Sequence, residues 1–388
     1  MDDVQNARNY VNEIMKSGCV INGEVFFLDD IEKMGYDEFS RRSKLNMPLK
    51  LYKYFPNKVQ MIKNQSTGVD EKINYSILSL KNNTVFLQSP MLFDDVYDSD
   101  INIDYCEYVK IRLLHYCKIC KVEADEDMDV PTIGNMLIKR IYESIIKNIN
   151  LKNSNDIFSV LDLNIRTMVT FENRTEMEKV NIELFIRTLE EACLNHFNGQ
   201  EALDIGKFIP ELIYEDYKKY KQRLINLFRV SCFSSTPYSQ LMWGGSYADC
   251  HKGFCVEYTV LPDDEKYNKL YYNLFPMIYC YQRPNVAKSF AIGQDKELDM
   301  DLFWIIYFNG VLRKSMDWMY QYEWRLLLPF GKDENDFNVK FFPITKVYLG
   351  CRMGEDNVKE ITQICNSQGI PFVRMMKNPN IFEMQEIK

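Results

Sequence analysis

The sequence predicts an α+β fold: one mixed sheet assembled from both ends of the chain, with a large helical insertion between them. Three observations carry this. Short β-branched and aromatic runs, each stopped by Pro, Gly or Asn, occur before residue 104 and again after 229. Between 105 and 228 the apolar residues recur at three and four, as in Ile138, Ile141 and Ile145 and in Ile182, Phe185, Ile186 and Leu189, which is the helical period. The tail alternates strand, helix and strand.

In order, residues 1–50 read as an N-terminal extension: a helix from Val4 to Met15, an apolar β-like patch at Val25–Leu28 and a polar helix ending before Pro48. Residues 51–104 form the first part of the α+β domain. There Leu51-Tyr52-Lys53-Tyr54-Phe55 is an aromatic strand stopped by Pro56, a helix covers Tyr75–Leu80, and Thr84–Gln88 is a strand closed by Ser89-Pro90. Residues 105–228 are the helical insertion. Residues 229–388 return to strands at Arg229–Ser234, Gly253–Tyr258 and Pro276–Tyr281. A helix from Lys296 to Trp318 leads into the strand Glu323–Leu328, and Lys346–Gly350, Glu355–Cys365 and Pro371–Met375 form the βαβ-like tail.

Composition narrows the function. A net charge of −8 disfavours a protein that coats nucleic acid, although 47 Lys and Arg residues leave room for a local basic groove. The apolar runs are too short or interrupted to span a bilayer, and the acidic start Met1-Asp2-Asp3 is unlike a secretory leader. A cytoplasmic protein with no membrane partner is expected, its 11 cysteines reduced.

Three stretches hold residues suited to chemistry. Leu241–Gly253 puts Trp243, Tyr247 and His251 among glycines before an apolar strand, which suits either a stacking site or a core turn. Gln321-Tyr322-Glu323 stands where a strand opens, with Arg325 on the same face; a carboxylate half-buried there serves catalysis or an ion pair with Arg325 or Lys53. Tyr52-Lys53-Tyr54 is followed by the acidic loop Phe93-Asp94-Asp95-Val96-Tyr97-Asp98, whose spacing matches no calcium loop. His115-x-Cys117-x-x-Cys120 is half a zinc pattern without its second half, and no metal is expected. Phosphate-binding Gly-Lys-Ser/Thr loops, dinucleotide glycine fingerprints and Gly-x-Ser-x-Gly elbows do not occur in the sequence, and His115, His196 and His251 are its only histidines.

The same residues resemble a bacterial family catalogued as domain of unknown function 2971. The shared features are Tyr52-Lys53-Tyr54, the loop Phe93–Asp98, the block Met242-Trp243 through Tyr247-Ala248 to His251 and Gly253, and Lys314, Trp318, then Gln321-Tyr322-Glu323-Trp324-Arg325. Departures are Asp94 for Asn, Val96 for Pro and Gln321 for Glu. The order of parts is also similar to the ADP-ribosyltransferase superfamily. That resemblance implies an NAD-consuming enzyme with Glu323 catalytic and Gln321 its helper. It gives Tyr52, Lys53 and Tyr54 a dinucleotide-binding role together with Trp243, Tyr247, His251 and Arg325, with Tyr247 on the nicotinamide. Lys53 stands where those enzymes have Arg or His. The acceptor would be a protein or nucleic acid, and a toxin or phage-defence role with a regulatory partner protein would fit. The alternatives are a non-catalytic nucleotide- or peptide-binding module, expected if Glu323 is locked by Lys53 or Arg325, and a metal-dependent nuclease or hydrolase using Asp94, Asp95 and Glu323.

Overall fold

The computed structural model describes residues 18–21, 24–27, 36–45, 47–63, 69–137, 208–295, 307–329 and 337–387, with residues 6, 139, 140 and 143 besides. The expected helix Val4–Met15, most of the helices expected between 138 and 207, and the stretch 296–306 lie outside these residues. The fold is α+β with mixed sheets. Two compact units divide the chain: Met1–Asp100, Ile225–Pro284 and Tyr307–Lys388 in one, Ile101–Leu224 and Asn285–Ile306 in the other.

The first unit holds the strands. In chain order these are β1 (Gly18–Ile21), β2 (Glu24–Phe27), β3 (Lys50–Phe55), β4 (Gln60–Lys63), β5 (Asp70–Ile73), β6 (Thr84–Leu87), β7 (Phe228–Ser234) and β8 (Phe254–Thr259). There follow β9 (Leu274–Pro276), β10 (Ile278–Cys280), β11 (Arg313–Ser315), β12 (Glu323–Pro329), β13 (Phe337–Lys340), β14 (Ile344–Leu349), β15 (Phe372–Lys377) and β16 (Met384–Glu386). Eight of them form the main sheet in the order β16-β15-β14-β8-β3-β7-β12-β9. A separate four-stranded sheet, β11-β10-β1-β2, takes the strand expected at Pro276–Tyr281 and the β-like patch expected at Val25–Leu28, and draws a further strand, β1, from the otherwise helical N-terminal extension. The strand read at Thr84–Gln88 pairs with β13 in a small ladder of its own.

Local chemistry accounts for several boundaries. Asn74 caps the helix Tyr75–Asn82 by accepting from the Ile77 amide, and Asn83 ends it in the left-handed region at φ 46°. The parallel pair β14 and β15 is joined across the helix Glu355–Gln368, as the tail pattern predicts. The expected helix through Trp318 is corrected: Arg313–Ser315 is a strand, and Ser315 caps a 3₁₀ segment, Met316–Gln321, by accepting from the Asp317 amide.

The main sheet has two unlike faces. On one, Leu51, Phe55, Phe233, Val256, Tyr258, Trp324, Leu326 and Leu328 build the large apolar core with Leu80, Val85, Phe341 and Ile361. On the other, a smaller cluster of Tyr52, Tyr54, Met242, Trp243, Cys255, Tyr348 and Met375 lies beside a set of polar side chains. The second unit contains the helices Tyr105–Cys120, Phe208–Ile225 (its last residue belonging to the first unit) and Ala287–Asp295; Tyr105, Tyr108, Tyr217 and Phe290 pack ring to ring within it. The described cysteines are all free, and among the described residues no helix is long and apolar enough to cross a membrane.

Candidate functional site

Strand pairing brings distant motifs into one row. Tyr52 on β3 stands opposite Ser234 on β7, and Ser234 stands opposite Glu323 on β12. Directly paired residues point to the same side of a sheet, so these three share a face, and Glu257, opposite Tyr52 on β8, extends the row. Arg325, two residues beyond Glu323, falls on that face as well.

Glu323 lies at the centre of a buried charge cluster. Its Oε1 accepts from Arg325 Nε at 2.6 Å, and its Oε2 accepts from Lys314 Nζ at 2.9 Å. Arg325 Nη2 donates to both oxygens of Asp98 at 2.7 Å, and its Nη1 donates to Ser99 Oγ and the Val311 carbonyl. Lys314 completes the ring with Asp98 at 2.9 Å and Gln321 Oε1 at 2.8 Å. Two carboxylates thus face two cations, and Arg325 is fully buried while Glu323 is 5% exposed. A buried pair of this kind persists only when its remaining donors are also satisfied, which Ser99, Val311 and Gln321 achieve here.

The electrostatics follow from this geometry. Burial alone would raise the Glu323 carboxyl, but Arg325 and Lys314 outweigh it and hold the group down at about 2. Burial likewise opposes the charge on Lys314 and on Arg325, and the facing carboxylates overcome it, so both cations sit above their ordinary values. Glu323 is therefore a fixed negative charge at neutral pH and not a proton carrier.

Above the cluster, Gln321 Nε2 donates to the Tyr247 hydroxyl at 2.7 Å, joining the Trp243 block to the Gln-x-Glu strand. Tyr247 is 38% exposed, and burial with the nearby Glu323 pushes its phenol up to about 12 against the pull of Lys314. Trp318, half-buried, takes Lys314 Nζ 5.2 Å from its ring centre and lies 5.9 Å from the Tyr320 ring. Three half-exposed aromatic rings thus border a charged floor, an arrangement suited to a flat ligand.

Of the residues expected at the site, Glu323, Gln321, Arg325 and Tyr247 come together, and Tyr52 shares their row. Others do not. Lys53 points to the opposite face, where Nζ donates to Ser231 Oγ and the Cys232 carbonyl at 3.0 Å and lies over the Phe233 ring; burial lowers its pKa. The period of two puts neighbours on opposite sides, so Lys53 does not hold a ligand beside Tyr52. Trp243 is fully buried, with Nε1 donating to the Pro237 carbonyl at 2.7 Å, and Tyr54 packs edge-on against it with its hydroxyl on the Thr236 carbonyl. These two are core, not a stacking platform. His251 belongs to the turn under the block: its amide donates to the Trp243 carbonyl, and its φ of 68° follows two further left-handed residues, Asp249 and Cys250. Burial, and then Arg352, lower its pKa.

The acidic loop divides its residues among local tasks. Asp98 enters the cluster, Asp95 accepts from the Tyr97 amide, and Asp100 pairs with Arg283. Among the described residues no group of three His, Cys, Asp or Glu side chains is placed to hold a metal, and neither Asp94 nor Asp95 joins Glu323. Sequence reasoning missed Lys314 as a site residue, although the motif contained it, and missed Asp98 as the partner of Arg325. A guanidinium inside an apolar strand demands a counter-ion, but nothing local indicates that it lies 227 positions away. It also missed Glu257, which accepts from Lys50, Thr345 and Tyr348 at the far end of the row and which those bonds hold ionised despite burial.

The chain matches no family model, no curated protein and no solved structure, so the reading of this face rests on its own residues.

Proposed function

We propose that this face is an NAD-consuming site of an ADP-ribosyltransferase-like enzyme. The observation that carries the reading is the convergence of three separated motifs: Tyr52, Tyr247 and Gln321-x-Glu323 meet on one sheet face, with Gln321 bonded to Tyr247 at 2.7 Å. In the proposed reaction the bond between nicotinamide nitrogen and ribose C1 breaks, and the nitrogen keeps the electron pair. The ribose acquires oxocarbenium character beside the Glu323 carboxylate. An acceptor nucleophile or water then bonds to C1 and gives up its proton to solvent. A carboxylate ionised across the physiological range suits stabilisation of that positive charge. Gln321 would orient Tyr247 against the nicotinamide, and Arg325 would act by positioning Glu323. In this reading the chain works in the cytoplasm, residues 105–228 select a protein or nucleic-acid acceptor, and a partner protein restrains a toxin or phage-defence activity.

A second reading, a nucleotide-binding module without chemistry, is favoured by one observation: both Glu323 oxygens are already engaged by cations. The two separate in a single experiment. Purified protein and its Glu323→Asp variant are incubated with NAD, with and without cell lysate, and nicotinamide is measured by chromatography. Release by wild type and loss in the variant support catalysis. Saturable NAD binding without release supports the binding module and overturns the enzymatic reading.

A further inference from the structure

Arg313 stands apart from the Glu323 cluster, although its neighbour Lys314 belongs to it, because successive residues of β11 point to opposite sides. It is 5% exposed. Its Nη2 donates to Asn309 Oδ1 at 2.6 Å, and its guanidinium lies 5.3 Å from the centre of the Phe308 ring. Its Nε and Nη1 are buried and have no acceptor. The Cys280 sulfur is within hydrogen-bonding reach of the guanidinium, but it is a weak acceptor; burial pushes that thiol above its ordinary value, so it remains neutral and supplies no counter-charge.

A guanidinium stays charged at any physiological pH, so it cannot escape burial by losing its proton as a lysine can. Buried cations in folded proteins are paired or bind an ion, and each unsatisfied donor calls for a specific cause. Among the described residues no carboxylate pairs with Arg313. Asn309 offers only a neutral oxygen, and the Phe308 ring face adds a weak attraction. β11 forms one edge of its sheet, and Ser315, two residues along the same strand, is exposed.

We infer that Arg313, with Asn309 and the Phe308 ring, forms an oxyanion-binding site distinct from the Glu323 face, taking a phosphate or carboxylate group through Nε and Nη1. The guanidinium fork suits such groups, since it offers several coplanar donors to planar or tetrahedral oxyanions.

The test compares melting temperatures of the whole chain, wild type and Arg313→Met, in chloride buffer, with inorganic phosphate and with acetate. Phosphate stabilises most proteins by exclusion from the surface, so only the difference between the two proteins counts. In chloride alone Arg313→Met is expected to melt no lower than wild type, because it removes an unpaired buried charge. Wild type should then gain about 5 °C or more over the variant at about a hundredfold excess of the bound anion over its Kd, so that the order reverses. A gain with phosphate alone identifies a phosphoryl site, and one with acetate as well identifies a carboxylate-tolerant site. Parallel responses in the two proteins overturn the inference. So does an Arg313→Met protein that fails to fold in chloride, since the charge would then be satisfied without an anion. Arg313→Lys, which keeps the charge but loses the fork, should need about tenfold more anion for the same gain.

Discussion

Glu323→Gln removes one negative charge from a cluster that the chain has closed to solvent. The substituted amide would still accept one hydrogen bond, but Lys314 and Arg325 would face Asp98 alone, leaving one positive charge uncompensated. The magnitude follows from the carboxyl group itself. Its shift from 4.5 to about 2 corresponds to about 3 kcal/mol of stability at pH 7, at about 1.4 kcal/mol per unit. Breaking a buried pair by removing one partner costs about 3–5 kcal/mol, which agrees. For a unit of this size, about 3–5 kcal/mol is a fall of about 6–20 °C in melting temperature. The sign with pH is fixed too. A depressed carboxyl contributes stability above its unfolded pKa and loses it as pH falls through the folded one, so the gap between wild type and variant should close between about pH 4.5 and 2. Thermal unfolding followed by circular dichroism at about pH 7, 4.5 and 3 tests both statements. A variant within about 2 °C of wild type at pH 7 would refute the argument that the cluster is a closed, mutually dependent unit.

Further outcomes follow from the same contacts. Asp98→Asn should cost about 3 kcal/mol, and combining it with Lys314→Met should cost less than the two separate losses, as a double-mutant cycle in urea would measure. Tyr247→Phe deletes one hydroxyl, on a partly exposed side chain, so stability should change by less than about 1.5 kcal/mol in the same titration while NAD binding weakens in calorimetry. Gly350→Ala would drive a Cβ into the His251 carbonyl oxygen, closer than any real contact of that kind, and loss of soluble expression or a fall of about 3 kcal/mol or more is expected in a folding assay. His251, whose pKa is lowered by burial, resists protonation in the fold, so stability should decline as pH drops below about 6.5 and His251→Gln should flatten that slope in pH-dependent melting.

The parts legible in the sequence were those governed by neighbours. The strand opening at Glu323, the helix beginning at Tyr75 and the βαβ tail all appear where apolar period and stop residues indicate. The resemblance gave Tyr52, Lys53 and Tyr54 one dinucleotide-binding role, although the period of two alone assigns Lys53 to the other face. The helix expected through Trp318 failed because a three-residue strand and a 3₁₀ segment carry much the same apolar spacing as a helix. The separate sheet of β1, β2, β10 and β11 was not legible, since pairing between residues 19 and 280 depends on tertiary packing. The same holds for Asp98: its loop reads as solvated acid, and only the folded chain brings it to Arg325.

The central claim is that Glu323 works on NAD at the face where Tyr52, Tyr247 and Gln321 meet. The direct measurement is nicotinamide release from NAD by the whole protein, wild type beside Glu323→Asp and Tyr247→Phe, each first shown to be folded. The account predicts release by wild type, loss on moving the carboxylate in Glu323→Asp, and a raised KM in Tyr247→Phe. Folded wild-type protein that releases no nicotinamide, in buffer or in lysate, would contradict it.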